Sequence, residues 1–238
     1  MSAGDGDAAH GKLKHTMINL FTEPLDAFCG GFFLLTAIGI VSTRQILACL
    51  RLFVIQALLL VAAALLIGVK LSSGDLVAVA VITFVTKVVA IPWVLKLSAG
   101  SEIYAQREID QVLNIPLALL ISAALVLFSY FVATPMVTAV GQPFTDINLP
   151  IGLAGLVLGA FTVTVRREAM AQLIGLLVME NGVFFASISI VPHLPVIAEI
   201  SAAIDVPVMS LIIGLLIRRI HKRTGSTVVS ELATLRED

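Results

Sequence analysis

The chain has 238 residues, of which 58% are hydrophobic and 13% charged, with a formal net charge of -1 and a mean hydropathy of +1.04. Soluble globular domains carry about 25% charged residues, so halving that share while raising the apolar content excludes an ordinary soluble domain and predicts an integral membrane protein. The near-zero net charge says little about partners, because the two signs are segregated along the chain; the lipid bilayer is the expected surround, and no nucleic-acid partner is expected.

Residues 1–20 begin small and polar and are expected to form a polar N-terminal tail. Lys12 and Lys14 are not followed by a short apolar run with a small-residue cleavage site, so the start does not read as a secretory signal. From there about seven stretches meet the criterion of ~20 apolar residues for a spanning helix. The first is 25–41, with Gly30 and Gly31 inside it. The second, 46–69, has Arg51 near its start and Gln56 near its centre. The third, 76–97, holds Lys87 and Pro92. A charged connection, SAGSEIYAQREIDQVLN, leads to the fourth, 115–132. The next loop, TPMVTAVGQPFTDINLP, carries three prolines and no basic residue. In the fifth span, 151–165, Gly155 and Gly159 are spaced to allow close helix contact. Arg166, Arg167 and Glu168 turn the chain into the sixth, 169–191, which PHLP breaks. The seventh, 196–217, ends in RRIHKR and a polar tail.

The basic residues orient this bundle. Arg44, Lys96, Arg107, Arg166, Arg167, Arg218, Arg219, Lys222 and Arg223 flank one set of helix ends, whereas the opposite set has only Lys70 and the two tail lysines. Positive residues favour the cytoplasmic side, so the C-terminus is expected in the cytoplasm and, with seven spans, the N-terminus outside. The expected organisation is a tail (1–20), a four-helix region (21–140), a three-helix region (141–223) and a cytoplasmic tail (224–238). Cys29 and Cys49 lie in separate apolar segments, form no metal or cluster spacing, and read as small buried apolar residues. His10, His15, His193 and His221 fall in predicted tails or loops. A haem held by two intramembrane histidines is therefore not expected, nor is any metal or redox centre on this chain.

Four polar side chains sit near mid-span: Gln56, Lys87, Glu180 and Asp205. Unpaired, the three ionisable ones would cost about 8–10 kcal/mol together on insertion-based scales, which rivals the net stability of a whole domain. They are therefore expected to face one another, water or a neighbouring subunit. Pro92 frees the carbonyl of Val88 beside Lys87, and Pro207 that of Ala203 beside Asp205; broken helix beside a charge suits a hydrated path. One reading is a static salt-bridge cluster that registers the helices. The other is a proton path, since burial disfavours the charged forms and readies each group to exchange a proton. Glu199, near the opposite end of the seventh span, reads as an interfacial residue or a point of access to that path. Arg51 is expected to snorkel or to pair with a neighbour, and Trp93 and Tyr104 suit an interfacial belt.

The stretches VTKVVAIPWVL, AQLIGLLVMENG and EISAAID followed by IIGLLIRRIHKRTGSTVVSELATLRED resemble hydrogenase-4 component E, a membrane subunit of formate hydrogenlyase-type and related hydrogenase complexes, over roughly residues 39–238. The last three spans also resemble the K subunit of respiratory complex I and the C subunit of multisubunit cation/proton antiporters. This chain has Leu177 where that pattern has its first glutamate, and Glu180 about one helical turn later; Asp205 matches the second. The resemblance implies a non-catalytic subunit of a hydrogenase-type oxidoreductase in a bacterial or archaeal cell membrane. It would lie between a redox arm and antiporter-like subunits, with iron–sulfur clusters and a nickel-iron site on those partners. Glu180 would be the central proton carrier, Lys87 its charge modulator, and Asp205 the link to the next subunit. Arg166, Arg167, Arg218 and Arg219 would anchor the cytoplasmic face and dock a partner. A stand-alone ion transporter and a non-conducting scaffold are the rivals; the first is opposed by the lack of a visible inverted repeat.

Overall fold

The computed structural model describes residues 4–96, 111–140 and 145–190. Among these the architecture is all-helical: α1 (Gly4–Ser42), α2 (Ile46–Leu71), α3 (Gly74–Lys96), α4 (Ile115–Val140), α5 (Thr145–Val165) and α6 (Ala169–Ile190). No β-strand is present among the described residues; isolated bridge positions occur, among them an antiparallel bridge between Gln111 and Arg166. Six segments, one in each helix, are long and apolar enough to cross a membrane. The seventh predicted span and the C-terminal tail lie outside the described residues.

Two boundaries differ from expectation. α1 begins at Gly4, so the stretch expected as a tail, including His10 and His15, enters the first helix ahead of the apolar part at Pro24–Ser42. The predicted three-proline loop is shorter than expected. α4 runs through Pro135 to Val140, and α5 starts at Thr145 with Pro150 inside it. Each proline leaves one carbonyl, that of Phe131 or Asp146, without its usual helical N–H partner.

α6 is the most enclosed span and α4 the least, with 67% and 17% of their apolar windows buried. α6 therefore forms the centre, packed on α5 and α2, while α1 packs on α2 and α5, α4 lies outside on α5, and α3 lies outside on α2. Glycine lets the central pair approach backbone to backbone. A Cβ on Gly152 would stand 2.4 Å from the amide nitrogen of Ala186, one on Gly159 2.5 Å from that of Met179, and one on Gly182 2.2 Å from that of Leu156. The Gly155/Gly159 spacing read from sequence belongs to this contact, but the stripe is wider. Gly175 and Gly182 supply the α6 side, and Gly155 also makes room for the ring of Phe33 from α1. Phe33 in turn stacks on Phe185 at a centroid distance of 4.5 Å.

The buried apolar side chains fall into two layers. One contains Ile40, Cys49, Phe53, Ile91, Leu95, Met170 and Ile174; the other contains Phe33, Leu60, Ile67, Leu76, Val79, Phe185 and Ile188. Along α2, α3 and α6 the sequence gap between the layers holds Gln56, Lys87 and Glu180. Both cysteines are buried and free, as their sequence context implies.

Filling the α5–α6 contact is expected to break it. Gly182→Ala should lower stability in detergent by about 1–3 kcal/mol through overpacking. Gly31→Ala, whose Cβ meets nothing within 4 Å, should leave it unchanged or slightly raised. Thermal unfolding of the two variants tests this.

Candidate functional site

Lys87 is placed by a local fault in α3. Pro92 has no N–H to return to the carbonyl of Val88. Over Phe84–Ala90 the helix widens to π geometry, with the amide of Ile91 donating to the carbonyl of Thr86 five residues back. Such wide turns recur at functional sites. Here the turn carries Lys87 at 2% exposure, with its Nζ 2.9 Å from Glu180 Oε1 on α6. The same Nζ lies 5.1 Å from the ring centroid of Phe184. Glu180 and Phe184 are four residues apart on one face of α6. The carboxylate and the aromatic face thus hold one ammonium between them. Glu180 itself remains 26% exposed.

Gln56 and its neighbour on α6 form the next polar contact. Asn181 Nδ2 donates to Gln56 Oε1 at 3.3 Å, and both side chains are fully buried. Gln56 Nε2 and Asn181 Oδ1 make no hydrogen bond among the described residues, leaving an amide NH2 group and an amide oxygen for a further partner. At about 1.5 Å per residue, Gln56 lies about 15 Å from the start of α2, Lys87 about 14 Å from Lys96, and Glu180 about 17 Å from the start of α6. All three are near the middle of a hydrocarbon core about 30 Å thick.

Arg166 is turned into the protein. It is 2% exposed, and its Nη2 donates to the carbonyls of Ile40 and Val41 at 2.8 Å and to that of Thr43. These are the orphan acceptors at the end of α1, where a cation also complements the helix dipole. Gln111 Nε2 shares the carbonyl of Val41 at 3.2 Å, and Gln172 Nε2 caps the Arg166 carbonyl at 2.8 Å. Burial lowers the Arg166 pKa from its ordinary value, while Cys49 and Glu168 act in the opposite sense. Arg166 therefore ties helix ends together and is too enclosed to dock a partner. Arg167 beside it is exposed.

A further polar pair went unnoticed in the sequence. Asn148 Nδ2 on α5 donates to Asp26 Oδ2 on α1 at 2.8 Å, both side chains buried. Counted from the Arg166 end of their helices, they lie about 25 Å away, beyond the level of Glu180. The available signal was a carboxylate at the second residue of the first predicted span. Asn181 was equally legible in the quoted MENG motif, but an uncharged amide carries no insertion penalty large enough to single it out. Of the polar side chains one or two turns from the pair, Thr83 is buried, whereas Ser187 bonds back to Val183 within its own helix. Asp205, Glu199, Arg218 and Arg219 lie outside the described residues. Among the described residues no group of His, Cys, Asp and Glu is arranged to hold a metal ion.

These features can be set beside known proteins. The chain is 30% identical over 211 residues to the uncharacterized protein Rv0085 of Mycobacterium tuberculosis, covering 88% of this chain and 95% of that protein. The chain belongs to the family of that mycobacterial protein. Hydrogenase-4 component E of Escherichia coli K12 is a more distant member, 25% identical over 214 residues, 87% of this chain and 94% of its own length; the same figures hold for hydrogenase-4 component E of Shigella flexneri. No family model matches the chain, and no solved structure does. The six apolar helices fit a multi-pass membrane protein, and the family relation runs through the helices that carry Lys87 and Glu180.

The Lys87–Glu180 contact is expected to be energetically coupled. In a double-mutant cycle with Lys87→Met and Glu180→Leu, each single change should destabilise, and the double variant should recover part of the loss. The coupling should be about 2–3 kcal/mol, because removing one partner strands the other in an apolar layer. Unfolding of the four proteins in detergent gives the number.

Proposed function

We propose that this chain is a membrane subunit of a hydrogenase-type complex and that its mid-depth polar layer carries a proton. One observation supports this above the others: Glu180, a quarter exposed at mid-depth, touches a Lys87 that is sealed inside. A carboxylate bare to lipid is costly, so its open side calls for a neighbouring subunit or water. A partner of that kind also agrees with the relation to hydrogenase-4 component E. In this reading Lys87 and Glu180 exchange a proton between an ion pair and a neutral pair. Phe184 supports the charged ammonium, and Gln56 and Asn181 extend the hydrogen-bonding line. Displacing one charge across the whole membrane changes its energy by about 2.3 kcal/mol per 100 mV, so a proton passing through this layer feels part of that difference.

The wider reading has seven spans, a cytoplasmic C-terminus and the basic helix ends on the cytoplasmic side. Asp205 passes the proton toward the next subunit, Glu199 stands at the far side, and Arg167, Arg218 and Arg219 face the redox arm. Electron transfer, with its iron–sulfur and nickel-iron centres, takes place on partner subunits.

The test is Glu180→Gln in the native membrane, with proton movement and complex composition measured together. The expected result is loss of coupled proton movement with the complex intact and a nickel-binding large subunit still co-purifying. Normal proton movement would defeat the relay. Loss of assembly alone would favour a scaffold in which the ion pair only registers helices.

A further inference from the structure

Between α2 and α3, on the outer face of the described helices, an open groove has a volume of about 520 Å³. Leu50 and Val54 of α2 and Val88 and Pro92 of α3 form an apolar wall, with Arg51 and Lys96 at its rim. The volume falls within the range of about 300–1,000 Å³ typical of ligand sites. No acidic residue lines it, and neither Arg51 nor Lys96 is engaged in an ion pair among the described residues.

We propose that this groove binds an anionic phospholipid, its acyl chain along Leu50, Val54, Val88 and Pro92 and its phosphate between Arg51 and Lys96. Depth supports the assignment. Lys96 closes the described part of α3, and Arg51 is about 8 Å inside the start of α2, a distance its long side chain covers toward the head-group level. Trp93, 65% exposed beside Pro92, is the residue type that collects at that level. Basic pockets between spans on the basic face of a membrane protein hold anionic head groups in this way. A neighbouring apolar helix would fill the wall but would bring no counter-charge to two cations that have none among the described residues, so the charge pattern favours the lipid. The groove also adjoins the wide turn that carries Lys87. Val88 follows Lys87 directly, and the proline that disrupts the helix forms part of the wall.

The site can be tested on the purified full-length protein by native mass spectrometry, titrating phosphatidylglycerol against phosphatidylcholine. The wild type should prefer phosphatidylglycerol. Each basic residue near the phosphate should contribute about fivefold, so the Arg51→Gln, Lys96→Gln double variant should lose roughly 25-fold in affinity for that lipid. Both side chains are exposed, so these changes should leave the fold intact. The exchange variant Arg51→Lys, Lys96→Arg should keep the preference, and Val54→Trp should displace both lipids by filling the wall. Equal binding of the two lipids by the wild type, or a preference that survives the double Gln change, would overturn the proposal. A photo-cross-linker placed at Ile55, which also lines the groove, should give a lipid adduct in native membranes; an adduct with a protein neighbour would overturn it as well.

Discussion

The bare backbone contact between α5 and α6 is the constraint on which the rest of this bundle depends. Gly152, Gly159, Gly175 and Gly182 let the two main chains touch where any side chain would force them apart. In a bilayer, helices gain little by hiding apolar surface from equally apolar lipid, so close packing carries more of the association. With α5 seated on one side of α6, the remaining faces of α6 are assigned. Glu180 and Phe184 meet α3 through Lys87, and Asn181 meets α2 through Gln56. The glycines thus determine which side chains of α6 can act together.

Four buried polar groups each meet a partner within the protein that suits their chemistry, although some of their atoms, such as Gln56 Nε2 and Arg166 Nη1, have none among the described residues. The ammonium of Lys87 has a carboxylate and an aromatic face. The amide of Gln56 has another amide. The guanidinium of Arg166 has three carbonyls at the end of a helix, which share the two N–H groups of its Nη2. Asp26 has the amide of Asn148. The last two hold helices in place, whereas the Lys87–Glu180 pair lies between two apolar layers with one partner partly open. That asymmetry separates a candidate proton carrier from a structural tie.

The family relation covers nearly the full length of the relatives and so reaches the polar layer as well as the apolar helices. It joins this chain to a protein without an assigned activity and, at greater distance, to a named hydrogenase component. The geometry adds something the relation alone lacks: a specific ion pair across two helices, positioned by a proline-induced wide turn.

Much of the architecture was legible in the residues themselves. Apolar runs of spanning length located the six described spans, with the end of α4 and the start of α5 six or more residues off, because the cost of exposed backbone in hydrocarbon leaves helix as the solution for such a run. Lys87, Gln56 and Glu180 stood out because polar groups at that depth are rare and expensive, and Pro92 announced a disturbed helix beside one of them. The burial of Arg166 was not legible, because a basic residue at a helix end looks the same in sequence whether it reaches outward or folds back over another helix; only the approach of α1 decides. Asp26 and Asn148 were missed for the same reason, since their partnership joins residues 122 apart. Sequence determines which side chains cannot be left facing lipid. The tertiary packing decides which of them meet, because that depends on how closely neighbouring helices can approach and on which face each then presents.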